Sequence, residues 1–190
     1  MLKLRSRTGP EWVETVLADF DAFLLDHAAC ERKASAMALS FVLRYPDREA
    51  IHDSMITLAR EELTHFHRVY RICSERGIRF ARDEKDGYVN AMLKVTRHGR
   101  EEEFLDRLIM AGVVEARGHE RFGCVAEALE EGPLKKFYVE LTRAEERHAE
   151  LFVDLARIYF SEEDVAERLE VFLAADERIC AELPLRAAVH

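Results

Sequence analysis

The chain has 190 residues, a mass of 22.0 kDa and a formal charge of −9. Hydrophobic residues make up 48% and charged residues 34%, which excludes wholesale disorder, and 8 Gly with 4 Pro leave little turn material for a many-stranded β fold. No apolar run approaches the roughly 18 residues of a membrane span, and no apolar core follows the basic residues before Trp12, so neither membrane attachment nor a signal peptide is expected.

Five helices are predicted in chain order. Thr8-Gly9-Pro10 opens a long first helix that fades at Tyr45-Pro46. Asp47 is placed to cap a second helix, which runs to Arg76 and stops at Gly77. Residues 77–100 are irregular and basic, with Gly87 and Gly99 as breaks. A third helix starts near Glu101 and ends before Gly132-Pro133, and a fourth runs from about Pro133 to Phe160. Ser161, followed by Glu162-Glu163-Asp164, caps a fifth helix over about 162–182, before Pro184. No strand pattern appears. The expected fold is all-α: an antiparallel four-helix bundle over about 10–160, with a long crossover between helices 2 and 3 and an extra C-terminal helix, forming one domain over 1–190.

The four long helices share an alternating four-and-three spacing, the mark of inward seams between packed antiparallel helices. The first seam is Val13, Leu17, Phe20, Leu24, His27, Glu31, Ala34, Ala38 and Phe41. The second is Ile51, Met55, Leu58, Glu62, His65, Val69 and Ile72. The third is Phe104, Leu108, Ala111, Glu115, Gly118, Phe122, Val125 and Leu129. The fourth is Leu134, Tyr138, Leu141, Glu145, His148, Phe152, Leu155 and Tyr159. Each seam is apolar at its ends and ionisable at its middle. The chain also repeats itself: a lone seam glutamate is followed about thirty residues later by Glu-x-x-His, first as Glu31 with Glu62 and His65, then as Glu115 with Glu145 and His148.

Four carboxylates at the waist of an apolar bundle repel one another and are costly to bury. Two divalent cations would neutralise them directly. Glu-x-x-His aims both side chains at one point, because residues three apart share a helical face. Two such pairs and two single glutamates match the ligand set of ferritin-like di-iron and di-manganese proteins. A carboxylate-rich site with one imidazole per metal suits iron, with manganese as a substitute, better than structural zinc. The expected metal ligands are therefore Glu31, Glu62, His65, Glu115, Glu145 and His148. His27 is read as a core histidine hydrogen-bonded near the site, and His119 as a lining residue. Glu61, Glu120 and Glu146 fall off the seams and are read as solvated or helix-interface carboxylates. His67 is read as a surface residue, and Cys30, Cys73, Cys124 and Cys180 as packed thiols. With no CxxC pair they exclude a disulfide framework, a zinc knuckle or a rubredoxin-like domain, and they suit a reducing cytoplasm.

Five segments carry a family resemblance. Thr8-Gly-Pro-Glu-Trp12 with Leu24-Leu-Asp-His-Ala-Ala-Cys-Glu-Arg-Lys-Ala34 resembles the first helix of bacterial tRNA-(2-methylthio-N6-isopentenyladenosine) hydroxylases, the MiaE type. Leu58-Ala-Arg-Glu-Glu-Leu-Thr-His-Phe66 is similar to their second helix, Val114-Glu-Ala-Arg-Gly-His-Glu-Arg-Phe122 to their third, and Glu145-Glu-Arg-His148 to their fourth. The resemblance spans nearly the whole chain. It implies a ferritin-like di-iron monooxygenase that hydroxylates the isopentenyl group on the modified adenosine beside the anticodon, at tRNA position 37. The family's metal ligands fall on the same six residues. Gly118-His119 stands where the family has Ser-Cys, and Ala144-Glu145-Glu146-Arg147-His148 where Ser-Glu-Ala-Arg-His is usual; both departures leave the ligands intact.

The resemblance also implies partners: O2, the tRNA anticodon loop, and an external reductase, since the chain has no flavin, nicotinamide or iron–sulfur signature. Residues 68–100 carry nine basic and four acidic groups in an otherwise acidic chain. Arg68, Arg71, Arg76, Arg79, Arg82, Lys85, Lys94, Arg97 and Arg100, with Lys3, Arg5 and Arg7, form a candidate phosphate-binding patch. The metal motif alone leaves three alternatives open: a ferritin- or rubrerythrin-like protein that oxidises iron or scavenges peroxide, a quinone hydroxylase, and a non-enzymatic metal-stabilised bundle.

Overall fold

The computed structural model describes residues 2–80, 83 and 85–190; Arg82 of the basic segment lies outside them. Among the described residues there are seven α-helices and no strand: α1 (Pro10–Ala18), α2 (Phe20–Arg44), α3 (His52–Glu75), α4 (Gly87–Leu93), α5 (Arg100–Ala128), α6 (Pro133–Tyr159) and α7 (Glu162–Glu182). The chain divides into two compact units. One comprises Glu14–Glu84 with Arg186–Val189, and the other Met1–Val13, Lys85–Leu185 and His190.

The first unit is built on α2 and α3, packed along their length. Ser35 donates to the Ala59 carbonyl at 2.7 Å, and Arg76 donates to Asp21 at 2.6 Å. The lower position on α2 meets the higher position on α3, so the pair is antiparallel. The long first helix expected from the sequence is two helices. Asp19 accepts from the Ala22 amide at 3.2 Å and caps α2, which separates it from α1. The seam therefore does not extend back through α1. Leu17 is 44% exposed, and Trp12 and Val16 turn inward instead. Asp47 caps no helix either. The chain passes through a 3-10 turn at Glu49–Ile51, and α3 starts at His52. The end of α3 is as expected. Gly77 takes φ +74°, while Gly77 and Ile78 donate to Ser74 and Cys73, closing a Schellman motif in the left-handed conformation that glycine tolerates best.

The second unit is built on α5 and α6, with α7 laid mainly on α5. A Cβ at Gly112 would meet the Ala149 carbonyl oxygen at 3.1 Å, so the missing side chain lets the two backbones approach. His119 Nδ1 lies 2.7 Å from the Thr142 carbonyl, and these two contacts make α5 and α6 antiparallel. Pro133 opens α6, and Ser161 caps α7 by accepting from the Asp164 amide at 3.1 Å. The segment read as irregular contains one further helix, α4. Asp86 caps it by accepting from Val89, and Tyr88 and Met92, one turn apart, are buried.

Two buried ion pairs hold α7 to α5. Asp106 accepts from Arg168 through both oxygens at 2.7 and 2.9 Å, and it also receives the backbone and guanidinium of Arg97. Arg117 donates to Asp176 at 2.6 and 3.1 Å, to Glu120 at 3.0 Å and to Ser6. Tyr88 donates its hydroxyl to Asp176 at 2.8 Å. Burial lowers the proton affinity of Arg117, but the hydrogen bonds and charge of Asp176 outweigh it, so its pKa is raised. Removing one partner of such a pair strands a buried charge. Asp176→Ala is expected to lower unfolding free energy by about 3–5 kcal/mol in chemical denaturation, while the apolar pair Arg117→Met with Asp176→Leu recovers most of the loss. A single-variant loss below about 1 kcal/mol would show that the pair is not buried as described.

Candidate metal centre

In the first unit, Glu31 on α2 faces Glu62 and His65 on α3, and all three are buried. One donor atom from each lies within 4.8 Å of the others. His65 Nδ1 is 3.3 Å from Glu62 Oε2 and 3.6 Å from Glu31 Oε2. The three-residue separation of Glu62 and His65 places both on one face of α3. His27, one turn before Glu31, is fully buried, and its Nε2 is 2.6 Å from Glu31 Oε1. Burial first, then the nearby His65 imidazole, lowers the His27 pKa to about 3, against the raising effect of Glu62. His27 is therefore neutral at physiological pH, and at this distance its Nε2–H donates to Glu31.

In the second unit, Glu115 on α5 and Glu145 with His148 on α6 repeat the arrangement. All three are buried, and their donor atoms lie within 4.8 Å of one another. His148 Nδ1 is 3.2 Å from Glu145 Oε2. The two Glu-x-x-His motifs thus turn the same ring nitrogen towards their glutamate at nearly the same distance.

The donor set fits a resident metal ion. Ligands held about 2.1 Å from one ion stand about 3.0–3.4 Å apart, and the closest donor separations in both triads fall in that range. Each triad supplies two carboxylates and one imidazole. That is a hard, oxygen-rich set suited to iron or manganese rather than to structural zinc. A divalent cation at each triad would balance two buried carboxylates.

The other residues singled out in the sequence are placed as follows. His119 binds the Thr142 carbonyl and so links α5 to α6. Glu120 accepts from the Thr8 amide and hydroxyl and from Arg117, which makes it an anchor for the N-terminal segment. Glu61 and Glu146 are half-buried, and His67 is exposed. The four cysteines are free thiols. In the basic segment, Arg97 is engaged by Asp106 and Arg76 by Asp21, while Arg68, Arg71, Arg79, Lys85 and Lys94 are exposed. Sequence reasoning missed the buried Asp106, Arg117, Arg168 and Asp176 because they lie off the seams. Their signal is a charge order: Asp then Arg three turns apart on α5, opposite Arg then Asp on α7.

Paired helices carrying repeated Glu and Glu-x-x-His triads define the ferritin-like class with a carboxylate and histidine cluster fit for a di-iron site. A solved structure, "Protein 43 with aldehyde deformylating oxygenase activity from Synechococcus", shares this fold at 33% identity and TM-score 0.91, covering 97% of this chain and 92% of that one. The chain belongs to the MiaE family: the family model described as tRNA-(MS[2]IO[6]A)-hydroxylase (MiaE) matches residues 2–189. A Pseudomonas putida protein named tRNA 2-(methylsulfanyl)-N(6)-isopentenyladenosine(37) hydroxylase is 34% identical, covering 89% of this chain and 82% of its own length. A Salmonella typhimurium protein of the same name is 30% identical, with 78% and 72% covered.

The lowered His27 pKa has a direct readout. In metal-free protein, the His27 ring nitrogens are expected to keep the shifts of a neutral Nε2–H tautomer in 15N NMR from pH 8 down to pH 5. A titration midpoint near 6.5 would contradict the burial and hydrogen bond assigned to it.

Proposed function

We propose that this protein is an iron-dependent, O2-dependent monooxygenase that hydroxylates the isopentenyl group of 2-methylthio-N6-isopentenyladenosine at tRNA position 37. The family match over residues 2–189 carries this reading, and the two buried triads supply the chemistry it needs. The family match also supports hydroxylation over an iron-oxidising or peroxide-scavenging role. The reading takes the chain as one ferritin-like domain in the cytoplasm, where tRNA is modified. No helix among the described residues is long and apolar enough to cross a membrane.

Glu31, Glu62 and His65 would hold one iron, and Glu115, Glu145 and His148 the other. A reduced iron pair supplies oxygen activation when bound. Insertion of one oxygen atom into a C–H bond consumes O2, two electrons and two protons and releases water, so an external reductase must deliver the electrons. The chain's own contribution is ligation and a dry surround. Leu58 and Val69 lie one turn beyond the ligands of α3, and Leu141 and Phe152 one turn beyond those of α6, all buried. These apolar neighbours exclude water and suit a prenyl chain better than a polar substrate. His27 orients Glu31 by donating to Oε1, which leaves Oε2 turned towards His65.

Two measurements test the reading. Expression in a host lacking this hydroxylase should add one oxygen to the isopentenylated adenosine in mass spectra of digested tRNA. The gain should vanish with His65→Ala. No gain from an iron-loaded, reducible protein would sink the tRNA assignment. Separately, Glu115→Ala should lower bound iron per chain in elemental analysis while the helical circular dichroism is kept. Full iron loading with unchanged turnover would refute its role as a ligand.

A further inference from the structure

Three rings cluster on the surface of the first unit. Phe66 and Tyr70, one turn apart on α3, have centroids 6.3 Å apart. Phe80, beyond the end of α3, stands 5.5 Å from Tyr70 and 6.4 Å from Phe66. Tyr70 is 46% exposed and Phe80 37%, so the cluster is packed against itself without being taken into the core. Single exposed apolar side chains are ordinary on a protein surface, whereas a contiguous cluster marks an interaction site.

Basic side chains border the rings, one of them paired with a carboxylate. The Arg32 guanidinium lies 5.8 Å from the Phe66 ring centroid. Its orientation is fixed by Asp83, which accepts from it through both oxygens at 2.8 Å. Lys33, Arg71 and Arg79 adjoin Arg32, Tyr70 and Phe80 in the chain and are exposed. Flat aromatic faces bordered by Lys and Arg are the composition that receives unpaired nucleobases: rings stack on bases, and cations follow the phosphates. An aliphatic protein partner would have no use for the cations, and a fully paired RNA would offer no base face to the rings.

The cluster also has a defined level along the helices. Arg32 directly follows Glu31, and Phe66 directly follows His65, a shift of about 1.5 Å along each helix axis. Phe66 therefore stands level with the first triad on a different face of α3, and Tyr70 and Phe80 continue the cluster towards and past the end of that helix.

We infer that Phe66, Tyr70 and Phe80, flanked by Arg32 and Arg71, form a stacking platform for unpaired bases of a single-stranded RNA loop, holding nucleotides that neighbour the one modified. This rests on the tRNA reading above and names the surface through which that substrate docks.

The test uses the full-length, iron-loaded protein and a labelled anticodon stem-loop carrying the isopentenylated adenosine. Tyr70→Ala with Phe80→Ala should weaken binding about tenfold or more, since each stacked base contributes on that scale. The salt dependence should stay as in the wild type, because no phosphate contact is removed, whereas Arg71→Ala should flatten it. Tyr70→Phe should bind as the wild type does. Phe80→Trp should give fluorescence that the loop quenches and a blunt duplex does not. Both rings are partly exposed, and thermal melting checks that the variants are folded. Affinity of the double variant within about twofold of the wild type overturns the platform. So does a change in self-association with RNA affinity unchanged, which would make this face a contact between copies. If the wild type hydroxylates the stem-loop while the double variant binds it as tightly, the platform falls and the function stands. If the wild type neither binds nor hydroxylates it, the function falls and the platform with it.

Discussion

Each antiparallel helix pair buries two glutamates and a Glu-x-x-His histidine among mostly apolar residues, and the rest of the structure is arranged around that cost. A carboxylate removed from water without compensation destabilises a fold by several kcal/mol, and a second one beside it adds repulsion. Imidazole nitrogens approach the carboxylates in both triads: His65 and His27 in the first, His148 in the second. Imidazole balances a carboxylate's charge only when protonated, and the His27 ring, held neutral by its burial, offers Glu31 a hydrogen bond alone. A divalent cation is the group that neutralises two carboxylates while leaving the imidazole uncharged. The donor spacings within the two Glu-x-x-His motifs, set by the three-residue step on α3 and α6, suit such an ion.

A different solution to burying charge appears between α5 and α7. There the carboxylates meet guanidinium groups. Asp106 and Asp176 are fully buried, and each is bonded by a two-pronged arginine. Such pairs contribute little net stability over apolar residues of the same size, but they penalise every register except one. The order Asp–Arg on α5 against Arg–Asp on α7 would set like charges together if α7 ran the other way. The ladder thus orients α7 along α5, and Arg117 also ties in Ser6 and Glu120, through which the N-terminal segment joins the network.

Much of this was legible in the sequence because helix seams have a strict period. The seam positions of α3, α5 and α6 are buried except near their ends, and the six glutamates and histidines fall where the spacing puts them. The failures have local causes. The four-and-three spacing steps from Leu17 to Phe20 without interruption, yet Asp19 between them caps Ala22 and breaks the helix. Asp47 carried a capping signature, but the chain uses a 3-10 turn before α3 begins. The short α4 holds only two buried seam residues, Tyr88 and Met92, too few for a period to show. The α5–α7 ladder was out of reach for another reason: a charged residue off a seam is by default solvated, and only its partner on a distant helix makes it buried.

The two units repeat the same buried chemistry and differ on their exposed surfaces. In the second, α7 covers α5, and the charges beneath it are spent on orientation. In the first, α3 exposes aromatic rings and cations beyond Glu62 and His65. A duplicated ligand set can serve two equivalent ions, but a substrate must approach from somewhere, and equivalent outer faces would offer no choice. The asymmetry supplies that choice. Where one helix pair is closed by packing, the other presents the rings and cations proposed to receive unpaired bases, starting at Phe66 beside His65.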